Sequence, residues 1–466
     1  MKRSRIVFAI VSSVICLSAF AATAANAKTE TSSLRVADLR TEHMVNPIGI
    51  GETTPLLTWQ VRGAVQLNAY QVRVARTVEA LRQGKLLWDS DKSSWEGVGT
   101  VYLSTVKLSS RETAAWQVRV WDRQNRVSAW SAPATFEMGL LSRSDWSAHW
   151  IENTAYHYTR ADGSEMPLPV FEKAFKISAP VTRARLYITG LGMFAARLNG
   201  QPYTNNVLEP GQTTYAAEVD YRTYDLTTQL RSGANTLRID TGSGAYQRVP
   251  TPGRYFFGGA LEKTRVYGIP RVIAQLEITY ADGRHEIVAT DSSWRTAIGS
   301  TTFSSWWSGE EYDARREQNL GAKGSAGIPW TDASIANLSA DTTPTENTPL
   351  RADPRPPVRV AESLEPISIQ AISNGAYILD FGANRSSLPH VHLSAKAGTT
   401  ITLIPAEKLK ADGTLDISST GARPGKQIAY RYTAAGGGPG DWHAQFTFNG
   451  FRYLEVDGLS HAPDKT

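Results

Sequence analysis

The stretch Arg185-Leu-Tyr-Ile-Thr-Gly-Leu-Gly-Met-Phe194, continued by Ala195-Ala-Arg-Leu-Asn-Gly200, Val207-Leu-Glu-Pro-Gly-Gln-Thr-Thr-Tyr215 and Val219-Asp-Tyr-Arg-Thr-Tyr-Asp-Leu226, decides the fold. Leu186 and Ile188 alternate with Arg185, Tyr187 and Thr189, the two-residue period of a strand with one face buried. Asn199-Gly200 is a tight-turn pair, because glycine, and to a lesser degree asparagine, tolerates positive φ. The stretch predicts the edge of a β-sandwich whose loops are set for a ligand.

The same period recurs on both sides of it. Leu56-Leu-Thr-Trp59-Gln-Val61, Tyr70-Gln-Val-Arg-Val-Ala75 and Trp116-Gln-Val-Arg-Val-Trp121 alternate apolar with polar residues across turn-rich gaps, and Trp59, Trp116 and Trp130 read as core. Between them one short helix is predicted, capped by Thr77 and stopped by Gly84. Residues 156–169 form a polar insertion, after which Phe171–Phe175 is a first strand expected to pair with the Arg185 strand. Ala274, Leu276, Ile278 and Tyr280 share one strand face, and Asp282-Gly283 closes that hairpin. The long loop 241–268 is the expected rim of a ligand site. A Thr, Asn and Pro-rich run over 335–357 marks a boundary, and beyond it Tyr377–Asn384, Gly398–Leu403 and a closing strand pair in 446–456 make a further sandwich.

Residues 1–27 read as a secretory signal peptide: Lys2, Arg3 and Arg5, an apolar core too short for a bilayer span, then Ala25-Asn-Ala27. Cys16, the single cysteine, falls inside it, so disulfides, thiol nucleophiles and thiolate metal ligands are excluded from the remainder. The formal charge of +5 includes three of these leader residues and drops to +2 without them, which gives nucleic acid no support as a partner. No membrane contact is expected after cleavage, and the expected compartment is secreted or periplasmic. Abundant Trp (13) and Tyr (18) with little helical periodicity point to an all-β chain supplied with rings for cores or for stacking on sugars.

The opening stretch, with Leu86-Leu-Trp88-Asp-Ser90, Ser144-Asp-Trp146-Ser-Ala-His-Trp150-Ile151 and Gly309-Glu310-Glu311-Tyr312-Asp313-Ala-Arg315, resembles the N-terminal part of bacterial α-L-rhamnosidases. Those are inverting glycosidases that remove terminal L-rhamnose. The resemblance implies three tandem β-sandwich domains after the signal peptide (1–27): a fibronectin type III-like domain (28–140), a jelly-roll accessory domain of carbohydrate-binding type (141–347) and a concanavalin-like sandwich (348–466). It implies rhamnose-containing glycosides or polysaccharides as partners.

Inverting hydrolysis needs two carboxyl groups about 6.5 to 9.5 Å apart. In the resembled enzymes both come from an α/α barrel that follows the third module, so no residue of this sequence inherits a catalytic role. Glu310 and Glu311 point to opposite faces of a strand. Glu407 is expected to pair with Lys408, and Asp380 to bond local backbone. His390 and His392 share a face but lack a third ligand, so no metal site is assigned. Related modules hold rhamnose through calcium, which makes calcium the one ion to consider and Asn199 its candidate ligand. The candidate sugar-binding residues are Asn199, Tyr246, Trp306 and Trp307. The expectation is the accessory half of a secreted α-L-rhamnosidase; the alternative is a secreted protein that binds rhamnose or plant polysaccharide without cleaving it.

Overall fold

A computed structural model describes residues 34–63, 66–157, 167–247, 267–339, 342–422 and 427–464. The predicted signal peptide and most of the 241–268 loop lie outside them. Every large element is a strand. The predicted helix forms as Val78–Arg82, and the Thr77 side chain accepts from the Ala80 amide at 3.0 Å, filling a helix-end donor that has no partner within the helix.

The first module stacks a three-stranded sheet (Arg35–Thr41, Leu56–Arg62, Thr100–Tyr102) on a sheet built around Leu67–Ala75, Thr113–Asp122 and Ala134–Glu137. Its core is the inward set of the predicted alternation: Leu57, Val72, Val74, Trp116, Val118 and Val120. Trp116 is wholly buried and donates its indole N–H to Thr41 Oγ1 at 3.1 Å. Trp130 departs from the expectation of core. It is half-buried, and the guanidinium groups of Arg73 and Arg119 stack on its ring at 4.7 and 4.6 Å.

In the second module a six-stranded sheet faces a seven-stranded one. Val181–Leu191, the deciding strand, sits between Arg271–Tyr280 and Val219–Asp225, both antiparallel to it. Asn199 and Gly200 adopt φ of +54° and +78° at the tip between Met193–Leu198 and Gln201–Pro202, the tight turn that the sequence predicts. Pro169–Ile177 lies in the opposite sheet, paired with Gly233–Gly242 and Arg295–Ile298, so the expected pairing with the Arg185 strand is corrected. Leu186 and Ile188 then face the Phe171 side across the apolar core between the layers.

The outer face of that central sheet is buried as well, against the first module and the segment after it. Arg183 and Arg185 both reach Glu137, at 2.6 and 2.9 Å, and Glu137 is 3% exposed. Arg111 holds Glu277 at 2.7 Å and Asp145 at 3.0 Å. Gln275 is fully buried and accepts from the Ser147 amide at 2.7 Å, and Tyr221 accepts from the Leu140 amide at 2.6 Å. A sheet face that reads as polar is thus a hydrogen-bonded interface in which each charge has its counterpart.

The second and third modules share strands across the expected boundary at 347/348. Thr301–Ser305 and Gly309–Asp313 form the edge of the third module's seven-stranded sheet, where Gly309–Asp313 runs parallel to Tyr430–Thr433. In return Leu350–Ala352 joins the second module, parallel to Val219–Asp225. The 335–357 run is therefore threaded along the second sandwich, with Asp353 buried and clamped by Arg222 and Arg355. Of the expected closing pair only Asn449–Asp457 is a strand; Phe446 is buried instead, against Gly242 of the second module. None of the helices among the described residues is long and apolar enough to cross a membrane.

Candidate functional site

The four predicted sugar-binding residues do not converge. Asn199 serves its own turn: its side-chain oxygen accepts from the Thr236 amide and its amide donates to Asn235, each at 3.0 Å. Tyr246 is wholly buried, packed edge-on against Tyr215 at 5.1 Å, and its hydroxyl donates to the Thr343 carbonyl at 3.0 Å. No ring face is left for a sugar, so the rim position expected for Tyr246 is corrected to core. Trp306 and Trp307 are half-buried in the turn between Thr301–Ser305 and Gly309–Asp313. Trp306 stands edge-on to the exposed Phe448 at 5.8 Å, and Thr447 donates to the Trp306 carbonyl at 2.9 Å.

Directly behind that turn lies Glu310, 1% exposed, its carboxyl accepting from the Gln445 and Phe446 amides at 3.0 and 2.8 Å. Loss of solvent pushes its pKa up to about 8, against the pull of the two backbone donors. Glu311 points the other way and pairs with Arg431 at 2.5 Å, as a strand requires. The proton affinity of Glu310 suits a general acid, but its carboxyl is 1% exposed and turned to two backbone amides.

Among the other acids burial alone does not set the direction: buried Asp240 is lowered because Arg238 and Arg197 outweigh the loss of solvent. Asp220 is raised to about 6 by burial and by Asp353, and Glu209 is raised by burial; both are under 9% exposed and held by Arg355 and Arg222 respectively. Glu455, half-buried, is raised by burial and by Asp457. Acids at the surface move down instead. Arg452 grips Asp380 at 2.8 Å through both oxygens, and the Gly382 amide adds the local backbone bond expected at Asp380. Glu407 is lowered first by Asn384, which donates to it at 2.9 Å, rather than by the expected partner Lys408. Glycoside cleavage needs a proton-retaining carboxyl that touches substrate beside an ionised one. Here the raised carboxyls of Asp220, Glu209 and Glu310 are buried, the first two against arginines and the third against backbone amides.

His390 and His392 do share a strand face, and both lean on Asp441 across the hairpin, at 2.8 and 3.4 Å. Among the described residues no group of three or more His, Cys, Asp or Glu is arranged to hold a metal ion. The Asn199 oxygen is already engaged by an amide, which leaves the turn without a built cation site.

Comparison with known proteins covers nearly the whole chain. Residues 36–142 match the family model described as a Rha78A-like N-terminal immunoglobulin domain, 179–362 the α-L-rhamnosidase N-terminal domain, and 370–466 the bacterial α-L-rhamnosidase concanavalin-like domain. An α-L-rhamnosidase of Alteromonas sp. (strain LOR) is 33% identical over 426 residues, 90% of this chain and 44% of that protein. One from Formosa agariphila is 30% identical over 446 residues, again 90% of this chain and 45% of the relative. The solved α-L-rhamnosidase from Dictyoglumus thermophilum superposes with a TM-score of 0.78 at 29% identity, over 93% of this chain and 47% of that one. That from Streptomyces avermitilis, complexed with L-rhamnose, gives 0.78 at 25% identity, over 93% and 57%. The chain spans less than half the length of the two curated relatives described.

Proposed function

The chain belongs to the bacterial α-L-rhamnosidase family through that family's N-terminal modules, and we propose that it is the accessory, non-cleaving part of a secreted α-L-rhamnosidase. The activity of the whole enzyme is then hydrolysis of terminal α-L-rhamnose from rhamnosides, and these modules scaffold and position the part that cleaves. The single observation that carries this reading is the order of three family modules between residues 36 and 466, with 90% of the chain matched to under half of each of the two curated relatives described. The electrostatics agree with it, since the carboxyls most able to hold a proton near neutrality, Glu310 and Asp220, are enclosed.

The deciding experiment is hydrolysis of p-nitrophenyl α-L-rhamnoside by residues 28–466 alone, beside a full-length relative as positive control. No release of nitrophenolate above buffer is expected. Turnover that disappears in Glu455→Gln, the half-buried acid with a raised pKa, would overturn the accessory reading. Export rests on residues 1–27, and N-terminal sequencing of the protein recovered outside the cytoplasm is expected to begin at Lys28.

A further inference from the structure

Between its last contact with the second module and its first strand in the third, the chain crosses open surface. The Val207 amide donates to the Val358 carbonyl at 3.0 Å, and Arg359 Nε donates to Asn206 Oδ1, also at 3.0 Å. At the far end the Ile367 amide donates to the Asp380 carbonyl at 2.7 Å. Residues 360–366 run between these points without a turn or a bend. The segment is fastened at both ends and lies in no sheet in between.

Two properties set it apart from an ordinary connection. Val358, Val360, Leu364 and Ile367 are between 38% and 60% exposed, so apolar side chains stand in solvent along its length. Among the described residues, no backbone N–H or C=O group of 361–366 pairs with another backbone group. A row of unpaired backbone groups flanked by exposed apolar side chains is a template that a further strand completes. Because both ends are already fixed, little freedom is lost when it pairs.

The sequence of the segment is its own antiparallel complement. With two copies laid about a twofold axis at Glu362, Val360 of each stands opposite Leu364 of the other, Arg359 opposite Glu365, and Ala361 opposite Ser363. Side chains directly opposite in an antiparallel pair point to the same side, so this register puts both apolar pairs on one face and both base and acid pairs on the other. The two Glu362 carboxylates meet at the axis, where each is already paired with Arg385 of its own chain. A shift of one residue in either direction sets a charged side chain opposite an apolar one, which fixes the register. Pro366, with no N–H to donate, ends the pairing.

We infer that residues 359–365 are a self-association surface, through which two copies of this chain pair antiparallel about a twofold axis. The contact uses the same patch on both copies and closes at two, so it yields dimers and not fibres. A ladder this short belongs to the weak, reversible class of associations. The pairing concerns only the connection between two modules and is independent of whether the chain cleaves rhamnosides.

Sedimentation velocity of residues 28–466, from about 5 to about 500 µM, tests this. A monomer–dimer equilibrium is expected, with amide hydrogen exchange in 361–365 slowing as the dimer fills. Val360→Asp combined with Leu364→Asp should weaken association at least about tenfold. Both side chains are exposed, so the Tm of the dilute protein should not change. Glu365→Arg alone should also weaken the dimer, and adding Arg359→Glu should restore it, because exchanged charges pair again only where the two positions face each other. A chain that stays monomeric at about 500 µM overturns the proposal, as does a dimer indifferent to the two aspartates. A dimer that the aspartates weaken but the charge exchange does not rescue overturns the twofold register.

Discussion

Replacing Glu137 with alanine is expected to destabilise the protein by about 3 to 5 kcal/mol, the cost of stripping the partner from buried cations. Glu137 ends a strand of the first module and receives the guanidinium groups of Arg183 and Arg185 from the central strand of the second. The Arg185 side chain is 11% exposed, and its Nε and Nη2 each donate to the carboxylate at 2.9 Å. Alanine leaves Arg183 without its carboxylate and Arg185 with Asp225 alone, at 2.9 Å, on a face where lost hydration is not replaced. Differential scanning calorimetry should show a lower Tm for the transition that includes the first module. A Glu137→Met, Arg183→Met, Arg185→Met triple variant should recover most of the loss, because apolar groups of similar volume replace the whole buried ionic cluster at little cost. An unchanged Tm in Glu137→Ala would show that water already reaches these arginines.

The second large effect is a pH dependence. The Glu310 carboxyl, ordinarily at 4.5, is pushed up to about 8 by burial. Between those values the folded protein keeps a proton that the unfolded chain has released, so stability falls as pH rises through this window. The total change is on the order of 5 kcal/mol. Asp220 contributes in the same direction, with the midpoint of its own titration at about pH 6. Glu209 and Glu455 are raised as well, so over pH 6.5 to 8 the share of Glu310 is read from the difference between the parent and a Glu310 variant. Thermal unfolding across that range should show a declining Tm, and Glu310→Gln, neutral at every pH, should flatten the decline. A slope that survives this substitution undiminished would place the responsible proton elsewhere.

The strand alternation was legible because each long strand buries one full side of its residues: Leu186 and Ile188, or Ala274, Leu276 and Ile278, all lie in the core of the second sandwich. What alternation does not reveal is the fate of the other side. Gln275, Glu277 and Arg185 carry the composition of a solvated face, and they are buried only because Glu137 and Arg111 arrive from a module far away in sequence. Two-residue strands such as Ile151–Glu152 and Thr331–Asp332 have no period to detect. The candidate site was less legible still. Tyr246 looked like a loop aromatic because its hydroxyl acceptor, the Thr343 carbonyl, is a backbone atom almost a hundred positions on. Trp59 reads correctly as core, yet sequence cannot say that its indole N–H ends without a partner beside a glycine.

The exchange of strands between the second and third sandwiches bears on how force and motion pass along the chain. A flexible tether lets neighbouring bodies swing freely, whereas here Gly309–Asp313 is stitched into one sheet and Leu350–Ala352 into the other. Bending one body against the other would have to tear backbone ladders rather than extend a loop. The third sandwich is consequently braced against the second as though by a rigid strut.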